Sequence, residues 1–227
     1  MKALQKFGGF AALYMALAHL MGLIIFIVIL DYISITDLAQ KVAMNVNNQA
    51  VVFSTNLLMY VFFGFFLIVF ALALYNRLKV GAPALMQVAT AIGIIWAGSL
   101  IASGMVANAA LTSVVALNTT DPSQAALTWQ GIEPVIDGLG NANGEILGGL
   151  MTLLISLAAL RAGELPKGLN ILGLLVGAVG VVTIIPALNA LVAVFGLGQI
   201  IWFIWMGIVL LRGNSGKAIT IEPLGPA

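Results

Sequence analysis

The chain has 227 residues, 62% of them hydrophobic and 7% charged, with nine Lys and Arg, eight Asp and Glu, one His and no Cys. An average soluble domain carries about 25% charged residues, so the polar surface is too small for a water-soluble globule, and a mean hydropathy of +1.13 fits a bilayer as solvent. The lack of cysteine excludes disulfides, thiolate metal sites, iron–sulfur clusters and cysteine nucleophiles; the single histidine excludes a His-rich metal or di-haem site within one chain; and no basic run points to nucleic acid.

In chain order, the first apolar segment runs from about residue 7 to 30, after Lys2 and Lys6 and before Asp31. Its length exceeds the apolar stretch of a signal peptide, so it reads as a retained helix. The polar stretch 31–50 follows, in which Thr36 or Asp37 is placed to cap a short helix. The second segment covers about 51–75 and stops at Asn76, Arg77, Leu78 and Lys79. Within it, the aromatic-rich stretch from Tyr60 to Phe70 reads as a lipid-facing or packing surface. The third covers about 82–108, with Pro83 suited to a first helical turn.

The long segment 109–142 contains Asp121, Pro122, Ser123 and Gln124, an acidic cap followed by proline and glutamine. This predicts a short helix over about 122–136, lying at the outer interface with Trp129 in the aromatic belt. Pro134 is expected to kink or end it. The fourth apolar segment covers about 143–160 and ends at Arg161; the fifth, about 169–186; the sixth, about 192–211, ending at Arg212. Between Lys167 and Arg212 no charge intervenes, and Pro186, Asn189, Gly196 and Gly198 are the breakers that divide two helices there. Each segment is long enough to cross a hydrocarbon core of about 30 Å at about 1.5 Å per residue.

The expectation is therefore an all-α integral membrane protein. One bundle of six transmembrane helices spans residues 1–213, with a short cytoplasmic tail at 214–227. Charge tests the orientation. With the N-terminus inside, Lys2, Lys6, Arg77, Lys79, Arg161, Lys167, Arg212 and Lys217 all fall inside, leaving only Lys41 outside. Asp31, Asp37, Asp121, Glu133, Asp137 and Glu145 fall on the outer side, and both termini are then cytoplasmic.

Candidate site residues are those that cost free energy in a bilayer. Glu145 stands at the outer entry to the fourth helix, after Asn141 and Asn143, where it serves either as helix-start chemistry or as an interior ion, proton or ligand group. His19 is near the middle of the first helix, as a neutral hydrogen-bonding group, a proton relay or a haem ligand whose second ligand would come from another subunit. Asn56, Asn108 and Gln199 lie in the outer halves of the second, third and sixth helices. With Glu145 and Asn143 they are expected to form one outward-opening polar cluster, or else to act singly as helix–helix glue. On this topology His19 and Glu145 differ in depth by about half the bilayer, which separates them. Ser99 and Ser103 share one face of the third helix. Gly173 and Gly177, with Gly180 one turn on, form a GxxxG seam for internal packing or for a homo-oligomer.

The runs Glu145-Ile-Leu-Gly-Gly-Leu, Leu165-Pro-Lys167-Gly-Leu-Asn170 and Phe195-Gly-Leu-Gly-Gln199-Ile-Ile-Trp202, closed by Leu210-Leu-Arg212, resemble a bacterial family of small multi-pass membrane proteins catalogued as a domain of unknown function. The resemblance covers about residues 7–213 and implies a bacterial inner-membrane location; it carries no catalytic roles. Three classes of function follow, in order. The first is a non-enzymatic protein that binds a lipid or small amphiphile or serves as an accessory membrane subunit. The second is a small transporter or channel using the polar cluster around Glu145. The third is a membrane enzyme or haem-binding subunit using His19. A bound lipid is the one cofactor-like molecule this ranking favours.

Overall fold

The computed structural model of the chain describes residues 2–140 and 145–213. Asn141, Asn143 and the expected tail at 214–227 lie outside these. Within the described residues the chain is all-helical. The helices are α1 (Lys2–Leu23), α2 (Leu38–Asn47), α3 (Gln49–Asn56), α4 (Phe63–Leu78), α5 (Pro83–Asn118), α6 (Pro122–Gly140), α7 (Ile146–Ala162), α8 (Lys167–Val182) and α9 (Val192–Arg212).

Four of these stretches are long and apolar enough to cross a membrane, once the helical turns joined to them are included. They are Ala3–Ile29 (27 residues), Gln49–Leu78 (30 residues), Pro83–Asn118 (36 residues) and Pro186–Arg212 (27 residues). The apolar helices α7, of 17 residues, and α8, of 16, are shorter. The helix ends follow the local chemistry. Asp37 caps α2 by accepting from Gln40 N at 2.9 Å, and Asp121 accepts from Gln124 N at 3.0 Å at the start of α6. Gly163 and Gly213 end α7 and α9 in the left-handed conformation at φ 64° and 59°. Arg77, Arg161 and Arg212 sit in last turns, where a cation meets the negative helix terminus.

Two helices are interrupted by wider π turns. Ile24–Ile29 continues α1, and Leu57–Phe62 joins α3 to α4. A π turn closes its hydrogen bonds over one more residue than an α turn, so it bulges and leaves a local gap in the packing.

α1 packs on α4 and α9, α4 on α5, α5 on α7, α7 on α8, and α8 on α9, so the succession of contacts closes on itself. The tightest seam is between α7 and α8. A Cβ added at Gly149 would lie 2.6 Å from Val181 N and 2.8 Å from Gly177 O; one at Gly177 would lie 2.6 Å from Leu153 N. Small residues here let two backbones touch. Of the two uses the GxxxG pattern left open, internal packing is the one observed for Gly177, and Gly173 faces Ser156 and Trp202 of the same chain. At one end of the molecule Gln5 Nε2 donates to Leu210 O at 3.1 Å and Arg77 pairs with Glu164 at 3.4 Å. The interior is filled by Phe63, Phe70, Trp202 and Phe203, whose rings meet at centroid distances of 5.5–6.1 Å among Phe63–Phe203 and Trp202–Phe203.

Several boundaries move. The third predicted helix was placed to end near Asn108, yet α5 runs ten residues further, to Asn118, because Asn108 is satisfied inside the bundle rather than in water. The 122–136 helix extends to Gly140, passing through Pro134. It does not stand free at an interface. Ser99 Oγ donates to Leu139 O and Ser103 Oγ to Ile136 O, while Ala110, Val114, Ala125 and Trp129 bury together, so α6 runs antiparallel along the C-terminal half of α5. Trp129, expected in an aromatic belt, is buried against Val114 and Val42. The 187–198 connection is a 3-10 turn over Pro186–Leu191 leading directly into α9.

Candidate binding cavity

The aromatic stretch on α4 divides between two roles. Phe63 and Phe70 are core, whereas Phe62 and Phe65 are exposed. Phe63 presents its edge to His19 at a centroid distance of 5.0 Å, and Phe203 of α9 lies at 6.3 Å on the other side. His19 Nδ1 is buried and meets no hydrogen-bond partner among the described residues. The expected hydrogen bond from this imidazole to a neighbouring helix is therefore not what holds Nδ1. Aromatic packing holds the ring.

Beside His19 opens an apolar cavity of about 600 Å³, lined by Tyr60, Trp96, Glu145 and the aliphatic side chains of Ile24, Ile27, Val28 and Leu197. A second cavity, of about 380 Å³, is lined by Asn45, Asn56, Tyr32, Trp129, Glu133 and Asp137. His19, Leu23, Ile27, Ile33, Met59 and Tyr60 line both. The two are adjoining lobes of one space, an inner apolar lobe and an outer lobe with carboxylates. Both π turns contribute to its walls, through Ile24, Ile27 and Val28 on one side and Met59 and Tyr60 on the other. Their wider turns leave volume where straight helices would close it.

His19 and Glu145, separated in depth on the sequence-based topology, line the same lobe. Glu145 is the residue before α7, but its carboxylate makes no capping bond. Its backbone N–H instead donates to Thr183 Oγ1 at 2.8 Å, and that hydroxyl donates to Gly180 O at 2.6 Å. Thr183 thus satisfies the Glu145 amide from the end of α8 and ties the start of α7 to it. Replacing Thr183 by valine keeps the shape but leaves the Glu145 amide without its acceptor, a loss of about 1–3 kcal/mol. Chemical or thermal unfolding of the T183V protein in detergent measures it; a midpoint equal to wild type would sink this account of Glu145.

The single outward polar cluster expected from Glu145, Asn143, Asn56, Asn108 and Gln199 is not what the described residues form. Asn56 Nδ2 donates to Asn108 Oδ1 at 3.0 Å, and Asn108 Nδ2 to Phe53 O at 3.2 Å, tying α3 to α5 at the edge of the outer lobe. Gln199 is wholly buried and bonds Thr152 of α7 at 3.0 Å. These amides act as helix–helix glue; Asn56 also borders the outer lobe. Asn143 lies outside the described residues.

The outer lobe has a charge pattern of its own. Lys41 Nζ of α2 meets Glu133 Oε1 at 2.8 Å, and the Tyr32 hydroxyl donates to the same oxygen. Burial, with the Glu133 carboxylate beside it, pushes the Tyr32 hydroxyl far above its ordinary range. One turn beyond Glu133, Asp137 stands at the rim, exposed and with no ion-pair partner among the described residues. Partial enclosure and the neighbouring Glu133 push its carboxyl up, against an opposing pull from Lys41. The sequence reading missed Tyr32, Asn45, Glu133 and Asp137 as site residues. The signal available for the last two was their i, i+4 spacing, which puts both carboxylates on one face of a helix.

No protein-family model matches the chain, and it matches no curated protein and no solved structure.

Proposed function

We propose that the chain is a six-span protein of a bacterial inner membrane, with both termini cytoplasmic, that binds a lipid or other small amphiphile without chemically transforming it. The distribution of basic residues supports the orientation, with eight of nine on one side. In this reading α7 and α8 are the fourth and fifth spans, kept short because they pair so closely, and α6 is an outer helix folded against α5.

The observation that carries the binding reading is the cavity beside His19. It is large enough for a chain-like ligand, its wall is aliphatic and aromatic, and its few polar groups are those of His19, Tyr60, Trp96 and Glu145. Sites for small apolar ligands have this composition. Gly196 supplies the test, because it lines the cavity and a Cβ there meets nothing within 4 Å. Phenylalanine at 196 is expected to occupy the cavity, whereas at the exposed Gly98, which lines neither lobe, a Cβ also starts in open space. Native mass spectrometry of protein released from lipid nanodiscs is expected to find retained amphiphile in wild type and Gly98→Phe and its loss in Gly196→Phe. Equal retention in all three would remove the cavity from the account.

A further inference from the structure

The outer lobe has more polar groups than an alkyl chain needs, and their signs are informative. The ionisable groups lining it are Glu133 and Asp137 from α6, His19 from α1, and the hydroxyls of Tyr32 and Tyr60; Lys41 of α2 reaches it through its pair with Glu133, and α5, which contributes Ala107, has no charged residue along its length. Lys41 and Glu133 neutralise each other at 2.8 Å, which leaves Asp137 as one uncompensated carboxylate at the rim. Such a lobe repels an anionic head group and favours a cationic one. The rings of Tyr32, Trp129 and Tyr60 line the same lobe, and aromatic walls beside a carboxylate are the surroundings that organic ammonium groups prefer.

An independent observation asks for a ligand oxygen. Asn45 is 1% exposed and lines the lobe, and its Nδ2 has no acceptor among the described residues. A buried amide donor without a partner is costly unless something outside the chain accepts from it.

We propose, resting on the amphiphile-binding reading above, that the outer lobe receives the head group of an amine-bearing amphiphile. Asp137 is the counter-ion of its ammonium, and Asn45 Nδ2 donates to an oxygen next to the amine. The chain passes Tyr60 and His19 into the inner apolar lobe. Asp137 is placed to meet the ligand first because it stands at the rim. Glu133 is held away from this role by Lys41 and the Tyr32 hydroxyl.

The test uses the full chain in phosphatidylcholine nanodiscs, with empty nanodiscs as the partitioning control. Three probes of equal chain length are compared: N-dodecylethanolamine, dodecanol and dodecanoate. The amine is expected to bind about tenfold more tightly than the alcohol, the scale of one charge-assisted hydrogen bond, and the carboxylate more weakly than either. Asp137→Asn is expected to bring the amine down to the level of dodecanol while leaving dodecanol unchanged, and Asp137→Glu to restore the preference. Because burial and the neighbouring Glu133 raise the Asp137 carboxyl, the amine preference is expected to weaken as pH is lowered and the counter-ion becomes neutral. Three probes binding alike, dodecanoate binding best, or the amine preference depending on Glu145→Gln rather than Asp137→Asn would overturn the head-group assignment while the cavity reading stands. If no probe binds, or if Gly196→Phe leaves all binding unchanged, the cavity reading itself fails.

Discussion

Leucine at position 149 is expected to separate α7 from α8. No soft side chain lies where the new Cβ would go; Val181 N and Gly177 O, both backbone, stand 2.6 and 2.8 Å away. Something in the main chain must move, and these two apolar helices are shorter than the four membrane-length stretches. In a bilayer, lipid tails are as apolar as the helix faces, so close van der Waals approach carries most of the association. A loss of about 3 kcal/mol follows for Gly149→Leu, at the upper end of overpacking costs. The comparison is Gly98→Leu, where nothing lies within 4 Å and no loss is expected. Reversible unfolding in mixed micelles measures both; similar midpoints would show that the seam is not what pairs the two helices.

Phe203→Ala is expected to cost nearly as much for the opposite reason. Phe203 is fully buried, and its ring meets Trp202 at 5.5 Å, Phe70 at 5.6 Å, Phe63 at 6.1 Å and His19 at 6.3 Å. Removing it leaves a void that four stiff aromatic neighbours cannot collapse into, and each loses its contacts on that side. Phenylalanine-to-alanine changes in cores cost about 3–5 kcal/mol; with lipid rather than water as the alternative environment, the lower end is expected. The void also adjoins His19, so the inner lobe should widen toward α9 and its choice of chain length should relax. Unfolding midpoints and the chain-length profile of bound alkyl amphiphiles are the two readouts, and a stable variant with an unchanged profile contradicts the packing role.

Much of the helical layout could be read from hydropathy and charge. The segments at 7–30, 51–75 and 192–211 correspond to Ala3–Ile29, Gln49–Leu78 and α9, because Lys6, Arg77 and Arg212 mark their ends. Asp37 and Asp121 were legible as caps because capping is a local matter of side chain and backbone within four residues. Asn108 is legible as helix–helix glue, but its partner, Asn56, lies 52 positions away and no local pattern names it. The end of the third helix was placed ten residues early because hydropathy falls beyond it while α5 continues to Asn118.

The site was legible in single residues and not in their grouping. His19 and Glu145 were recognised as costly, but their meeting in one cavity depends on how α7 is hung from Thr183 and on how far each helix is sunk relative to the others. Hydropathy fixes neither. Glu133 and Asp137 come over the cavity only because α6 doubles back along α5, anchored by Ser99 and Ser103. The two serines were noticed as a polar face. Nothing in the apolar pattern around them named the carbonyls of α6 as their acceptors.

The π turns at Ile24–Ile29 and Leu57–Phe62 also set the angular phase of what lies beyond them. Each carries one residue more than an α-helical turn, and one residue is worth about 100° of rotation about the axis. The first stands between α1 and the bend that precedes Tyr32; the second stands between α4 and Asn56. Asn56 adjoins its π turn in one continuous helix, so without the inserted residue it would turn away from Asn108. The insertion at Leu57–Phe62 therefore acts as an alignment setting: it lets α3 be rotated into register with α5 while α4 keeps its own facing.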